Sequence, residues 1–274
     1  MNGTCSLDGH TMAYVREGSG ETLLLVHGIT TASFIWDPVL PRFARHYDVV
    51  AVDLMGCGAS DRALDYDYTL RNQAETVERF ASALGLGRCH VVAHDVGGGI
   101  AQILAVRHAE RVADLTLVNT VGYDLWPVQP IAAMRTPILR QLAMATLDLG
   151  MLRFIVRRAL VHKERATPEL LAKVAGQVAA PGARKAFLRF AGALDNADLM
   201  AVARGLERLE IPVLIVRGDG DVYLSPEISR RLHRAVPASR LVVLQGAGHY
   251  AQVDAPDGLS DVVLSFLREV SGDG

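Results

Sequence analysis

Short apolar segments that end in turn residues recur along the chain and predict the strands of one sheet. The middle segments are apolar on both faces, which is typical of a parallel sheet covered by helices on both sides. Segments with helical periodicity lie between them, over 70–85, 98–109, 226–236 and 257–270. This alternation predicts an α/β fold. The predicted strands are TMAYVREG (11–18), TLLLVHG (22–28), YDVVAVD (47–53), CHVVAHD (89–95), DLTLVNT (114–120), PVLIVRGD (212–219) and SRLVVLQGAGH (239–249).

The alternation stops after Thr120, and no strand pattern returns until Ile211. The intervening residues are rich in Ala, Leu, Arg and Met at helical spacing, and Thr167 followed by Pro168 is a typical helix start. We expect residues 123–205 to form a helical cap, or lid, inserted into a core made of 1–122 and 206–274. Ligands of open α/β sheets bind at the carboxyl ends of the strands, so such a cap would cover the pocket.

Composition narrows the functional classes. The 274 residues are 50% hydrophobic and carry a net charge of −2, from 28 Lys and Arg against 30 Asp and Glu. That balance provides no basic field to attract nucleic acid, so no nucleic-acid partner is expected. No apolar run is long enough to span a membrane, and the amino terminus lacks a signal-peptide pattern, so we expect no membrane partner. The oligomeric state stays open, a homodimer included.

The three cysteines, Cys5, Cys57 and Cys89, are an odd number without C-x-x-C spacing. They predict neither a disulfide framework nor a zinc site, and a reducing cytoplasm suits them. The segment DLMGCGAS (53–60) contains G-x-G but lacks the third glycine and the helix start of a dinucleotide site, so it is interpreted as a turn. We therefore expect no metal and no cofactor.

The segment VVAHDVGGGIAQILA (91–105) predicts a strand that enters a helix through a tight, glycine-lined turn. Its small-x-nucleophile-x-small form has Ala93 and Gly97 at the small positions and Asp95 where G-x-S-x-G motifs have serine. Small residues are needed there because the turn strains the backbone and packs the helix onto the strand. A simpler interpretation is that Asp95 only caps the following helix, since aspartate is a good N-cap.

Two more residues stand at predicted strand ends in a telling order. Asp221 follows Gly218 at the end of one strand, and His249 lies in the glycine-containing loop after the next. Nucleophile, then acid, then base is the chain order of the triad in hydrolases that carry the G-x-S-x-G turn. Each residue alone is more often structural, but together they predict a catalytic constellation of Asp95, Asp221 and His249. Asn119 and Asp124 are reserve positions for the acid.

With these motifs in place, the chain resembles the α/β-hydrolase superfamily over nearly its whole length. Asp95 at the nucleophile position makes it similar to the branch of epoxide hydrolases, haloalkane dehalogenases and fluoroacetate dehalogenases. The resemblance implies an oxyanion hole formed by the backbone N–H groups of Ile29, after His27–Gly28, and of Val96, after the nucleophile. His27 and His94 also fit packing roles. The side chains expected to bind substrate are His27, His94, Tyr123, Trp126 and Tyr250.

The chain departs from each of these subfamilies. Haloalkane dehalogenases usually place Asn and Trp where this chain has Ile29 and Val96, so halide donors are missing. Fluoroacetate dehalogenases hold the carboxylate with arginines, which the glycines after Val96 do not supply. Epoxide hydrolases use two cap tyrosines and an H-G-x-P motif, whereas Thr30 replaces the proline here and no Tyr occurs from 124 to 205.

The resemblance implies a cofactor-free hydrolase that acts on a small-to-medium apolar molecule through an Asp95 alkyl ester, which a water activated by His249 then hydrolyses. The missing halide donors slightly favour an epoxide over a haloalkane. A second interpretation gives Asp95 acid-base work in ester, lactone or carbon–carbon bond hydrolysis, or in another reaction on a secondary metabolite. A third is a ligand-binding homologue without catalysis.

Overall fold

The computed structural model describes residues 2–125 and 150–272, and its centre is an eight-stranded sheet in the order β1-β2-β4-β3-β5-β6-β7-β8. Strands β3 to β8 run parallel where they pair with one another. Strand β2 pairs antiparallel with β1 on one side and with β4 on the other. The strands are β1 (Asn2–Leu7), β2 (His10–Gly18), β3 (Thr22–Val26), β4 (Asp48–Val52), β5 (Cys89–Asp95), β6 (Val112–Thr120), β7 (Val213–Gly218) and β8 (Ser239–Leu244).

Ten α-helices lie within the described residues and cover the sheet or follow its strands. Of these, α2, α3, α8 and α10 match the segments with helical periodicity to within two residues at each end. The helices are α1 (Leu40–Phe43), α2 (Leu70–Ala83), α3 (Val96–Arg107), α4 (Met151–Ala159), α5 (Pro168–Ala179), α6 (Ala183–Ala193), α7 (Asn196–Leu206), α8 (Pro226–Ala235), α9 (Ala251–Asp254) and α10 (Pro256–Ser271).

The predicted α/β class is confirmed, and its physical basis is the burial of the central strands. Every residue of β4, β5 and β7 is buried, as a parallel sheet with helices on both faces requires. Strand β1 was not predicted, because its sequence NGTCSL contains no apolar run and only two of its residues are buried. It joins β2 through a two-residue turn at Asp8 and Gly9, both with positive φ, and Asp-Gly is a strong hairpin signal.

Helices α4 to α7 stand between β6 and β7 in the chain, and the described residues between these two strands form no strand. The helices bury one face each, with Val156, Val174, Phe190 and Leu199 among the buried residues. The division into a core and a cap over residues 123–205 remains a prediction. Part of that range, including Trp126, lies outside the described residues.

The turn between β5 and α3 packs so closely that only glycine fits. A Cβ atom on Gly97 would lie 2.4 Å from the carbonyl oxygen of His27, and one on Gly98 would lie 2.1 Å from Oγ1 of Thr120. Real Cβ atoms essentially never approach other atoms below 3.0 Å. The start of α3 is therefore pressed against both the loop after β3 and the end of β6.

This packing predicts opposite effects for two Gly→Ala substitutions. Gly97→Ala should lower the free energy of unfolding by about 1–3 kcal/mol, because backbone must move to admit the methyl group. Gly176→Ala, in α5 with nothing within 4 Å of the added Cβ, should raise it by about 0.5–1 kcal/mol through the entropy of the unfolded chain. Urea denaturation measures both, and an equal effect of the two substitutions would contradict the packing argument.

Candidate active site

Asp95 occupies a strained position at the end of β5. Its φ of 54° and ψ of −123° lie in a region that residues with a side chain rarely adopt, at a cost of about 1–3 kcal/mol. Asp95 stands at the N-cap position of α3, yet its side chain makes no capping hydrogen bond. Capping therefore does not account for this aspartate.

The loop after β3 lies directly against the Asp95 carboxylate. The backbone N–H of Ile29 donates to Oδ2 of Asp95 at 3.3 Å, and a Cβ on Gly28 would lie only 2.7 Å from the same oxygen. Burial raises the pKa of Asp95, while His249 and the N–H groups of Val96 and Ile29 act in the opposite direction. Both amides expected in the oxyanion hole thus act on this carboxylate.

Asp221 fixes the orientation of His249. Nδ1 of His249 lies 3.1 Å from Oδ2 of Asp221, whose other oxygen accepts the backbone N–H groups of Tyr223 and Leu224 at 2.9 and 3.1 Å. Since a carboxylate only accepts, Nδ1 carries the proton of the neutral ring and Nε2 keeps a lone pair. Nε2 lies 4.0 Å from Oδ1 of Asp95, beyond hydrogen-bonding distance.

The charges of Asp221 and His249 act against the effect of burial on the pKa of each group. Burial by itself lowers the pKa of His249, but the charge and hydrogen bond of Asp221, together with Asp95, outweigh it and leave the pKa raised. Burial likewise acts to raise the pKa of Asp221, whereas His249 and the two backbone N–H donors hold it below its ordinary value. Asp221 is therefore the permanent anion of the pair and His249 its titrating partner.

The other two histidines of the sequence prediction are fully buried. Nε2 of His27 accepts the N–H of Leu54 at 2.9 Å, so Nδ1 donates to the carbonyl of Gly28 at 2.7 Å. No ring nitrogen of His27 is left for a substrate, and its contacts hold the loop that carries Ile29. Its predicted role in substrate binding does not fit this geometry.

His94 packs against His249. Its Nε2 donates to the carbonyl oxygen of His249 at 2.9 Å, and the two ring centroids are 4.8 Å apart. Burial first, and then the charge of His249, lower the pKa of His94 to about 3, so the ring is neutral. Nδ1 is buried without a hydrogen-bond partner among the described residues. These contacts suit the packing role rather than substrate binding.

Tyr123, Tyr250 and Trp126 are the other three residues predicted to bind substrate. Tyr123 is buried, with a φ of 54° and the guanidinium of Arg231 4.0 Å above its ring. Tyr250 is 2% exposed, and its hydroxyl lies 2.6 Å from Oγ1 of Thr30. Trp126 lies outside the described residues.

Asn119 serves as a brace rather than as the reserve acid. Its Nδ2 donates to the carbonyls of Gly248 and His249 at 2.9 and 2.8 Å, and its Oδ1 accepts the N–H of Gly218 at 2.9 Å. One side chain thus joins the ends of β6 and β7 to the loop that carries His249, residues 245–250, the histidine loop. Asp124 is exposed and pairs with Arg231 at 2.7 Å, so it does not replace Asp221.

Sequence reasoning missed Asp254, which is 2% exposed and ties the histidine loop to the helical insertion. Its carboxylate accepts the N–H groups of Gly248, Val161 and His162 at 2.7, 2.8 and 3.0 Å. The N–H of His249 also donates to the carbonyl of Ala159, at 2.9 Å. No local sequence motif predicts this role of Asp254, because its N–H donors come from chain segments about ninety residues apart.

Within residues 2–125 and 150–272, no group of three or more His, Cys, Asp or Glu side chains is arranged to hold a metal ion. No helix in the same ranges has the length and apolarity to cross a membrane.

Comparisons with known proteins identify the fold family of the chain. Residues 21–256 match the family described as alpha/beta hydrolase fold. Two Mycobacterium tuberculosis proteins are similar over most of their length: an uncharacterised protein, 30% identical over 96% of this chain and 80% of its own, and haloalkane dehalogenase 2, 29% identical over 92% and 89%.

Solved structures extend the likeness of fold. The epoxide hydrolase CorEH superposes with a TM-score of 0.85 at 21% identity, covering 98% of this chain and 99% of its own. An ancestral haloalkane dehalogenase superposes with a TM-score of 0.87 at 25% identity and the same coverage.

The electrostatics of the site predict the titration of His249. In the wild type, NMR of the imidazole should give a pKa above the ordinary 6.5. In Asp221→Asn the raising charge is lost while burial remains, so the pKa of His249 should fall below its wild-type value. Asp124→Asn, which removes an exposed carboxylate paired with Arg231, is the control and should leave the pKa of His249 unchanged. An unchanged value in Asp221→Asn would contradict the assigned electrostatics.

Proposed function

Because the chain belongs to the α/β-hydrolase fold family, we propose that it is a hydrolase that forms an alkyl ester on Asp95. The observation that carries the proposal is the Asp95 carboxylate itself, strained at the turn, free of helix capping and facing the N–H of Ile29. A carboxylate is suited to displacing a leaving group from saturated carbon, where it gives an ester that a second step must cleave.

In the first step, one oxygen of Asp95 bonds to the substrate carbon, and the bond to the leaving atom breaks with its electron pair. In the second step, Nε2 of His249 takes a proton from water, whose oxygen attacks the carbonyl carbon of the ester. The N–H groups of Ile29 and Val96 stabilise the resulting oxyanion. The product leaves with an oxygen that came from Asp95, and the oxygen of water stays in the carboxylate.

The side chains of Ile29 and Val96, next to Asp95, disfavour a halide as the leaving group. A departing halide is an anion that needs N–H or O–H donors, and the side chains of Ile29 and Val96 are aliphatic and provide none. Relatives and structural neighbours include both haloalkane dehalogenases and an epoxide hydrolase. We propose an epoxide as the substrate class in preference to a haloalkane, with an apolar body to suit these two side chains.

We further propose that the helical insertion acts as a cap. Its contacts with the loops that carry His249 and Asp221 support this, since the carbonyl of Ala159 accepts the N–H of His249 and the carbonyl of Ile155 accepts the hydroxyl of Tyr223. These contacts place the end of α4 beside the proposed base. A substrate would then bind between the insertion and the strand ends.

A second candidate function gives Asp95 an acid-base role on an ester or lactone. The observation in its favour is that burial raises the pKa of Asp95, which brings a carboxyl group closer to the pKa range of a proton carrier. The experiment below separates this role from ester formation.

The test is intact-protein and peptide mass spectrometry on His249→Gln incubated with an epoxide, an alkyl bromide and a carboxylic ester. Without its base, the enzyme should complete the first step and stop, so a substrate-sized adduct should accumulate on Asp95. His233→Gln, a change at an exposed histidine, should turn over without an adduct. The double variant Asp95→Asn/His249→Gln should not be labelled.

Two results would overturn the proposal. If the wild type hydrolyses the ester while His249→Gln never carries an adduct from any probe, Asp95 does acid-base work instead. If the wild type binds the probes without consuming any, the chain is a ligand-binding homologue of these hydrolases.

A further inference from the structure

A pair of hydroxyl groups joins the two loops that flank Asp95. Oγ1 of Thr30 and the phenol oxygen of Tyr250 lie 2.6 Å apart, although the residues are 220 positions apart in the chain. Thr30 follows Ile29, whose N–H contacts Asp95, and Tyr250 follows His249. The two residues are thus direct sequence neighbours of Ile29 in the proposed oxyanion hole and of His249, the proposed base.

The hydrogen bond leaves one proton of the pair unused. Two hydroxyl groups carry two protons, and the bond between Thr30 and Tyr250 consumes one of them, whichever group donates. Among the described residues, neither hydroxyl has a second hydrogen-bond partner. Thr30 is half-buried, whereas the Tyr250 side chain is almost fully enclosed, so Thr30 is the more accessible end.

The phenol stays protonated at neutral pH. Burial raises the pKa of Tyr250 well above its ordinary value of 10; the hydrogen bond from Thr30 opposes this, and the charges of Asp95 and Asp221 add to it. The ring centroid of Tyr250 is 5.1 Å from that of His249, which confirms its place beside the site.

The other phenols near the strand ends differ from Tyr250. The hydroxyl of Tyr223 is already committed to the carbonyl of Ile155, at 2.9 Å. The hydroxyl of Tyr123 is buried without a partner among the described residues, but the charged groups that act on it are Arg231, Glu207 and Arg234 rather than the proposed triad. Of these three phenols, Tyr250 alone combines an available pair proton with a partner, Thr30, that is next in sequence to Ile29, whose N–H contacts Asp95.

We propose that the Thr30–Tyr250 hydroxyl pair donates a proton to the atom that leaves the substrate carbon when Asp95 attacks. The inference rests on the proposed ester mechanism and adds the acid that this mechanism lacks. It selects substrates whose leaving atom is oxygen, because an alkoxide must be protonated as it departs, whereas a halide is a stable anion that needs no proton.

The protons balance over one cycle. When the carbon–oxygen bond of an epoxide breaks, the electron pair goes to the oxygen, which takes the free proton of the pair and leaves the pair with one negative charge. In the second step, His249 takes a proton from water and becomes positively charged. When the ester breaks, the second proton of the water passes from the new carboxyl group to the departing product oxygen, which restores the Asp95 carboxylate. Transfer of the first proton from His249 to the adjacent Tyr250 restores the other two groups, so epoxide and water give a diol without another reactant.

The experiment measures the rate of adduct formation on Asp95 in the His249→Gln background, with styrene oxide as the probe. Adding Tyr250→Phe, which keeps the ring, or Thr30→Val, which keeps the shape, should slow the adduct by about 100-fold, in the range of general-acid catalysis. Thr30→Ser keeps a hydroxyl and should restore the rate to within about tenfold of the background.

The matched control is Tyr66→Phe, because Tyr66 forms the same kind of bond, at 2.7 Å, with the hydroxyl of Thr76 on α2. It removes a tyrosine–threonine pair outside the site and should change the adduct rate by less than about threefold, within the spread of surface substitutions. Circular dichroism on all variants checks that each one is folded.

A second readout separates proton donation from packing. In variants that keep His249, single-turnover kinetics should show a slow first step with Tyr250→Phe, while hydrolysis of the ester changes by less than about tenfold. Loss of both steps together would make Tyr250 a packing residue of His249 and overturn the inference. An adduct that forms as fast with Tyr250→Phe and Thr30→Val as without them would also overturn it.

Failure of the proposed function has a different signature. If His249→Gln forms no adduct with any probe, the ester mechanism itself is wrong, and the hydroxyl pair has no leaving group to protonate. If an adduct forms and its rate ignores the pair, the ester mechanism stands and only the proton donor is wrong.

Discussion

The close approach of the loop after β3 to the turn between β5 and α3 is the constraint on which the rest of the site depends. Glycine at positions 28 and 97 lets two backbones meet with no side chain between them, and the turn is held tightly enough to keep Asp95 at a positive φ. Strain of this kind persists only where surrounding packing over-determines it. The same contact brings the N–H of Ile29 to the carboxylate, so strain and charge stabilisation have a common structural origin.

The histidine side of the site is held by a different means, a set of hydrogen bonds from several elements. Asn119 at the end of β6, His94 before the turn and Ala159 at the end of α4 all bond to the backbone of His249, and Asp221 bonds to its ring. This arrangement sets the position of Nε2 through contacts from four different parts of the chain. Burial of both ionisable groups then makes their charges interact strongly, because little water screens them.

Local signals made the fold and the proposed triad predictable from sequence. Apolar runs ending in Gly and Asp mark strand ends, and parallel strands bring those ends to one edge, so Asp95, Asp221 and His249 were identified together. The brace of Asn119, the clamp of Asp254 and the bond between Thr30 and Tyr250 were not predictable, since each joins distant segments through tertiary packing. Strand β1 was missed because a half-buried edge strand shows little hydrophobic pattern.

The central claim is that Asp95 becomes covalently attached to the substrate, and oxygen exchange tests it most directly. A single turnover of an epoxide by excess wild-type enzyme in water enriched in the heavy oxygen isotope should give an unlabelled diol. The label should appear instead in the Asp95 carboxylate, because the product carries away an oxygen of the aspartate. Label in the diol on the first turnover, with none in the peptide containing Asp95, would show that water attacks the substrate directly and would contradict the account.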